Sequence, residues 1–293
     1  MIYIVGNNSL SCYIAAKLQD VGKDTTIISG RADSLHLNTN GITLKEEHNL
    51  LKKHYRFKTS LMMREEPELV IISCDTDNIN SHLTTISKKI VQNVPIILFT
   101  PLRNISYIKH LFNSDIIRAY FDGYFIQKEQ SISLLGRSPC ITLSGSPEDP
   151  LLQSAASFLE IISPNIYFED DNKAFWSYFI PYASGSISST FYQQNISQLV
   201  KEQTSKEELR ALTEEIITIA NKEGCYPNKD DILGRLYTTP SSYTYPLLTT
   251  LKTHSRMSEL STVCGTLTNL SHQYKTPIPT LSRMIKKIYT DLA

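Results

Sequence analysis

The chain has 293 residues, of which 41% are apolar, and its 29 basic side chains balance 29 acidic ones. A single hydrophobic core rarely grows beyond ~250–300 residues, so this length predicts two domains. A chain without net charge has no general attraction for polyanions, and we expect neither a nucleic acid nor a membrane surface as its partner.

The cysteines and histidines argue against structural bridges and metal ions. The chain has five cysteines, an odd number, and none forms a Cys-x-x-Cys pair. The seven histidines also lack the H-x-x-x-H spacing of a metal-binding helix. No apolar run reaches the ~18 residues that cross a bilayer. We therefore expect a cytoplasmic protein with reduced thiols and no metal site.

The first half alternates short β-branched runs with helical patterns. Strands are predicted at 2–5, 25–28, 69–72 and 95–99, helices at 11–21, 79–91 and 151–162, and further edge strands around 119–125 and 140–143. Strands that alternate with helices predict a doubly wound parallel sheet of the Rossmann type. The turn residues Ser163-Pro164-Asn165 place the domain boundary at 165, which divides the chain into 1–165 and 166–293.

The second half has amphipathic helical patterns in place of β-branched runs. Ser205 and Glu208 have the spacing of a capping box before a helix that Gly224 ends. A further helix is predicted over 260–270, and Thr276-Pro-Ile-Pro279 separates it from the last one. The second domain is therefore expected to be all-helical.

The turn after the first strand has the position of a dinucleotide-binding turn. The fingerprint G-x-G-x-x-G reads Gly6-Asn7-Asn8-Ser9-Leu10-Ser11, so only its first glycine is kept. Asn tolerates left-handed backbone angles and Ser is small, so a pyrophosphate can still approach the turn. Arg31 follows the second strand where an acidic residue would hold a ribose hydroxyl, which favours NADPH over NADH. A plain turn and a solvated arginine explain the same residues equally well.

The chain resembles the ketopantoate reductases over nearly its whole length. The matching segments are MIYIVGNNSLS, Gly22, 69–74 and 94–99 in the first half, and Ala174-Phe-Trp176, 208–224, Ser258-Glu259-Leu260, Gly265-Thr-Leu267 and 276–279 in the second. The resemblance implies a Rossmann domain followed by a helical domain, as in 6-phosphogluconate dehydrogenases, with the helical domain binding substrate and forming a homodimer. It also implies NADPH-dependent reduction of the 2-keto acid ketopantoate, for pantothenate and coenzyme A synthesis, in a cleft between the domains.

The family's active-site positions are mostly changed in this chain. The proton-donating lysine is replaced by Tyr178, and the asparagine four residues further on by Tyr182. Other polar family residues fall at or near Asp75, Pro101, Pro246 and Leu247. Only Glu259 matches the family directly.

Two hypotheses follow from these changes. In the first, Tyr178 donates the proton, with Lys173, His254 or Arg256 as the cation that assists it, and Glu259 orients the substrate. In the second, the site no longer catalyses and the protein is a nucleotide-binding or interaction module. The reason is that each lost catalytic group lowers the reaction rate, and these losses multiply. The tyrosines and the glutamate then serve only packing and solvation.

Overall fold

The computed structural model describes residues 1–73, 83, 86, 94–112, 114–253 and 260–292. The chain forms two compact units, Met1–Asp171 and Asn172–Ala293. This division falls after the expected boundary at residue 165, because Asn165–Glu169 forms a strand in the sheet of the first unit.

The first unit is built on a ten-stranded mixed sheet. Its strands are β1 (Ile2–Val5), β2 (Thr25–Ile28), β3 (Ile42–Glu46), β4 (Leu51–Tyr55), β5 (Thr59–Ser60), β6 (Leu69–Ile72), β7 (Ile96–Phe99), β8 (Ile116–Lys128), β9 (Ser131–Ser144) and β10 (Asn165–Glu169). Their order is β4-β3-β9-β8-β7-β6-β1-β2-β5, and β10 also pairs with β9. Six neighbouring strands run parallel to one another, in the spatial order β5-β2-β1-β6-β7-β8. This arrangement confirms the predicted Rossmann-type sheet.

Helices cover the parallel part of the sheet. They are α1 (Ser9–Asp20), α2 (Arg31–Thr39), α3 (Ser106–Leu111) and α4 (Pro150–Leu159). Successive residues of β1 belong alternately to two hydrophobic clusters, so both faces of that strand are buried. Such burial explains why β1, β6 and β7 are continuous apolar runs in the sequence and β2 is a β-branched one. The helix predicted over 79–91 lies almost entirely outside the described residues.

Two hairpins complete the sheet, and the strands of the first contain the edge strands predicted around 119–125 and 140–143. β8 and β9 pair in antiparallel fashion over most of their length, with an irregularity between Asp122 and Tyr124. β3 and β4 form a second antiparallel pair, and β3 runs parallel to the start of β9. The buried carboxylate of Glu46 on β3 accepts from Lys17 of α1 at 3.1 Å, which ties this hairpin to the helix.

All regular secondary structure among the described residues of the second unit is helical. Its helices are α5 (Asp171–Tyr192), α6 (Ile196–Leu199), α7 (Gln203–Lys222), α8 (Lys229–Tyr237), α9 (Pro246–Thr253), a π-helical turn (Ser261–Gly265), α10 (Thr266–Tyr274) and α11 (Pro279–Leu292). The predicted all-helical domain is thereby confirmed. Among the described helices, none is long and apolar enough to cross a membrane.

The boundaries of α7 correct one prediction and agree with another. Ser205 lies inside the first turn of α7, and its hydroxyl donates to the carbonyl of Leu199 at 2.6 Å, so the predicted capping box is wrong. Glu208 instead accepts a hydrogen bond from the hydroxyl of Tyr192 at 2.5 Å. Gly224 follows the helix with φ +78°, the left-handed conformation that commonly ends helices.

Candidate functional site

The turn between β1 and α1 passes tightly over the end of β6. Gly6 has φ +124°, and a Cβ atom built on it would lie 2.1 Å from the carbonyl oxygen of Ser73. The hydroxyl of Ser11 donates to that same carbonyl at 2.6 Å. Only glycine fits at position 6, and the turn is therefore fixed at the carboxyl ends of β1 and β6.

Asn8 stands where the fingerprint has its second glycine, and it caps α1. Its side-chain oxygen accepts from the backbone N–H of Ser11 at 3.0 Å and from the hydroxyl of Ser73 at 3.2 Å. Helix geometry leaves the amides of Ser9 and Leu10 without intrahelical acceptors. The positive end of α1 thus keeps two N–H groups for an anion, although Asn8 uses a third.

The remaining residues of the predicted turn are fixed by local contacts. Asn7 is half-buried, and its carbonyl lies 3.9 Å from the thiol of Cys12. The hydroxyl of Ser9 donates to Gln127 on β8 at 3.1 Å, and Leu10 packs against the core. The structure therefore brings the predicted Gly6–Ser11 segment together at one edge of the sheet.

Arg31 is the first residue of α2 and is exposed. Because β1 and β2 are adjacent and parallel, Arg31 lies at the same sheet edge as the turn at Gly6. Within the described part of the chain, Arg31 has no ion-pair partner.

Asp33 adds an acidic side chain to the turn that carries Arg31. Burial, followed by the charge of Asp33, raises the pKa of Cys12 in α1 to about 12. Sequence analysis missed Asp33 because it looked for an acidic residue at the end of β2. The sequence signal that would have found Asp33 is an acidic residue in the first turn of α2, the helix that follows β2.

A buried arginine holds the loop after β7. Arg118 of β8 donates to both carboxylate oxygens of Asp171, at 3.0 and 3.1 Å, and to the carbonyl of Leu102 at 2.7 Å. Burial acts to raise the pKa of Asp171, but a hydrogen bond from Ser144 and the charges of Arg118 and Arg103 hold it below its ordinary value. Pro101, at a family asparagine position, lies in the loop that Arg118 fixes.

Tyr178 and Tyr182 form the start of an aromatic cluster in the second unit. They lie one turn apart on α5, and their rings stack with centroids 5.7 Å apart and planes 15° apart. The ring of Tyr245 lies 6.2 Å from that of Tyr182, and Tyr243 lies 5.0 Å from Tyr245. We call these four residues the tyrosine cluster. Sequence analysis found the first pair and missed the second, which precedes α9.

A glycine on α5 makes room for the cluster. A Cβ atom on Gly185 would lie 2.2 Å from the hydroxyl oxygen of Tyr245. Tyr245 is buried, whereas Tyr178, Tyr182 and Tyr243 are half-buried. The cluster therefore has one anchored ring and three rings that keep part of their surface accessible.

Pro181 lies within α5 between the two stacked tyrosines. Proline has no N–H, so the carbonyl of Ser177 loses its helical donor. Arg235 of α8 donates to that carbonyl at 2.8 Å. The replacement donor explains how α5 continues through a proline, and it also places a guanidinium beside the residue that precedes Tyr178.

Several predicted site residues cannot be placed. Glu259, Asp75, His254 and Arg256 lie outside the described residues. Lys173 is exposed in the first turn of α5. The assignment of Glu259 as an orienting residue stays a prediction.

Glu223, at the end of α7, joins three helices of the second unit. Its carboxylate accepts from the indole N–H of Trp176 at 3.0 Å and from the hydroxyl of Tyr274 at 3.4 Å. Its carbonyl accepts from the side chain of Asn172 at 2.7 Å. These bonds fix the first two turns of α5, which carry Tyr178.

Comparison with known proteins identifies the family. The sequence model of the family described as "Ketopantoate reductase PanE/ApbA" matches residues 2–101. The family model described as "Ketopantoate reductase PanE/ApbA C terminal" matches residues 172–289. A search of curated proteins gives no match.

Solved structures have the same fold at low sequence identity. A 2-dehydropantoate 2-reductase from Geobacter metallireducens GS-15 is 18% identical with a TM-score of 0.86, and the match covers 99% of each chain. A ternary structure of D-mandelate dehydrogenase with NADH and anilino(oxo)acetate is 15% identical with a TM-score of 0.85, covering 100% of this chain and 98% of that one. A PanE/ApbA family ketopantoate reductase from Ralstonia eutropha JMP134 is 14% identical with a TM-score of 0.82, covering 100% and 98%. With both family models matched in order along a shared fold, the chain belongs to the ketopantoate reductase family.

Proposed function

We propose that the protein is an NADPH-dependent reductase that converts ketopantoate to pantoate, in pantothenate and coenzyme A synthesis. The observation that carries the proposal is the pairing of two features at one sheet edge. The open N-terminal turn of α1 and the exposed cation of Arg31 both follow neighbouring parallel strands, where dinucleotides bind in folds of this type.

The residues at this edge fit the cofactor. The amides of Ser9 and Leu10 suit its pyrophosphate, and Gly6 keeps the turn close to the strands. The guanidinium of Arg31 suits the 2′-phosphate, while the negative charge of Asp33 in the same turn repels that phosphate. When bound, NADPH supplies a hydride to the keto carbon of the substrate.

The protein's own groups supply the proton and the orientation. The hydroxyl of Tyr178 gives its proton to the keto oxygen as negative charge develops there. Arg235, which donates to the carbonyl of the residue before Tyr178, is proposed as the cation that stabilises the tyrosinate that remains, beside the Lys173, His254 or Arg256 named from the sequence. Glu259 accepts a hydrogen bond from the substrate's hydroxyl and fixes its position.

A non-catalytic relative that binds a nucleotide is the second candidate. It is favoured by the cap at Asn8, whose side chain already satisfies an amide of the turn where the fingerprint has glycine. Such a cap stabilises the turn with no ligand present.

One assay and one titration separate the two candidates. Purified protein is mixed with NADPH and ketopantoate, and the nicotinamide absorbance is followed. We expect it to decay. In parallel, calorimetry measures NADPH binding without substrate. Binding without decay supports the second candidate, and failure of both rejects the cofactor assignment.

A further inference from the structure

A groove at the amino-terminal edge of the sheet lies away from the proposed cofactor site. Its volume is about 250 Å³, and it lies between one face of the sheet and α4. Because β1, β6, β7 and β8 are parallel, the starts of these strands lie at the edge opposite to the turn at Gly6. We infer that this groove binds a medium-chain monocarboxylate, an acid with one carboxylate and a flexible aliphatic chain. The inference does not depend on the proposed reductase activity.

The wall of the groove is formed by apolar faces of four strands and one helix. The sheet contributes aliphatic residues near the starts of the strands, all of which belong to or pack against one hydrophobic cluster: Ile2, Leu69, Ile97 and Ile117. The helix contributes residues with the i, i+3, i+4, i+7 spacing of a single helical face: Leu151, Ser154, Ala155 and Phe158. Such a wall favours an aliphatic group over a polar one, because binding removes apolar surface from water.

Two small residues of α4 leave the space open. Ser154 and Ala155 lie between the larger side chains of Leu151 and Phe158 on the helical face that lines the groove. This face extends for about 10 Å along the helix axis, which suits an extended chain better than a compact ring. A volume of 250 Å³ holds about eight groups of the size of a water molecule, and hence a chain of roughly that many carbons.

The charged residues at the groove favour an acid as the ligand. Lys23 follows α1 and is exposed, and its backbone N–H donates to the carbonyl of Leu18 at 3.0 Å. Within the described part of the chain, its ammonium has no hydrogen-bond or ion-pair partner. Glu68, the other charged lining residue, has its carboxylate 2.8 Å from the nitrogen of Met1 and forms no pair with Lys23. One unpaired cation beside an apolar wall matches a ligand with one negative charge and an aliphatic chain.

Calorimetry with octanoate tests the ligand class. We expect the wild type to bind octanoate with a Kd below about 1 mM. Butanoate should bind at least about tenfold more weakly, because four fewer methylenes are buried. Lys23→Met should weaken octanoate binding about twofold to fivefold, the size of one exposed ion pair, and Lys23→Arg should keep the affinity. If octylamine, with the opposite charge, binds as tightly as octanoate, the assignment of an acid is overturned.

A pair of variants on α4 locates the binding. Ser154→Leu places a larger side chain in the groove and should weaken octanoate binding by about tenfold or more. Gln153→Leu is the matched control, because Gln153 is also exposed but does not line the groove, and it should bind octanoate like the wild type. Thermal midpoints within a few degrees of wild type show that the comparison is between folded proteins.

Three results would overturn the inference. The first is that octanoate does not bind, and the second is that Ser154→Leu and Gln153→Leu bind it equally well. The third is that NADPH displaces octanoate, which would place the acid at the opposite edge of the sheet. If octanoate does not bind and Ser154→Leu alone changes the sedimentation coefficient, a second copy of the chain covers the groove instead.

Discussion

The β1–α1 turn and the tyrosine-bearing turns of α5 both differ from the family's sequence pattern, but the substitutions have different consequences in the two regions. At the β1–α1 turn, two glycines of the fingerprint are replaced, yet Gly6 keeps its special backbone angle and the helix still presents amides at the sheet edge. On α5, the lysine and asparagine expected from the family are replaced by two stacked tyrosines. The first region presents backbone groups, whose direction is set by the fold, and the second presents side chains, whose chemistry changes with every substitution.

The largest expected effect concerns the backbone of the turn. Gly6→Ala adds a Cβ where 2.1 Å separates it from Ser73, at a φ that other residues avoid. We expect a loss of about 3–5 kcal/mol in the free energy of unfolding, from strain and overpacking together. Urea denaturation followed by circular dichroism measures it. The control is Gly234→Ala in α8, where nothing lies within 4 Å and no loss is expected. Equal urea midpoints for the two variants would show that the turn is not held as tightly as described.

The next effect tests the side chains proposed for chemistry. Tyr178→Phe removes the hydroxyl that donates the proton, and Glu259→Gln removes the negative charge, while neither changes the side-chain volume much. Each should therefore lower kcat/KM by roughly tenfold to a thousandfold with unchanged thermal midpoints. Steady-state kinetics with NADPH and ketopantoate measure the change. If both variants match the wild type, the reacting carbonyl lies elsewhere. If they are only less stable, these residues serve packing.

A smaller effect tests which cofactor the sheet edge prefers. Arg31→Ala should weaken NADPH binding by about 1–3 kcal/mol and leave NADH nearly unchanged, since only NADPH has the 2′-phosphate. Asp33→Asn, in the same turn, should act in the opposite direction by removing a repulsive charge. Calorimetric titration of both cofactors measures this pair. Unchanged NADPH affinity in both variants removes this turn from the site.

The smallest effect concerns the proline within α5. Arg235→Met leaves the carbonyl of Ser177 without its donor, whereas in Pro181→Ala the helix supplies its own N–H. The double mutant should therefore be less destabilised than the sum of the single mutants, with a coupling of about 1 kcal/mol. Unfolding free energies of the four proteins measure it. Additive effects would mean that Arg235 does not compensate for the proline.

The part of the fold that the sequence predicted is the part buried on both sides. β1, β2, β6 and β7 are covered on two faces, so almost every residue is apolar and the strands stand out. β4 was missed because its three central residues are exposed, and its sequence LKKHY is mostly polar. The start of α7 was predicted too late because Ser205 bonds to Leu199 rather than to an amide of its own helix.

The candidate site was predictable where it depends on neighbours in sequence. The turn at Gly6–Ser11 and the pair Tyr178 and Tyr182 are local patterns. Arg235 meets Ser177 across 58 positions, and Tyr245 meets Gly185 across a similar span, so neither contact has a local signal. Each depends on how the helices of the second unit pack.

Trp176, whose indole N–H donates to Glu223, also makes the second unit optically distinct. Trp176 is the chain's single tryptophan, and it is fully buried in that unit. When the protein is excited at the long-wavelength edge of the tryptophan absorption band, where tyrosine does not absorb, the fluorescence reports only on the second unit. Circular dichroism reports on both units. A protein whose two units unfold separately will give two different denaturation curves by these two methods, and one whose units unfold together will give a single curve.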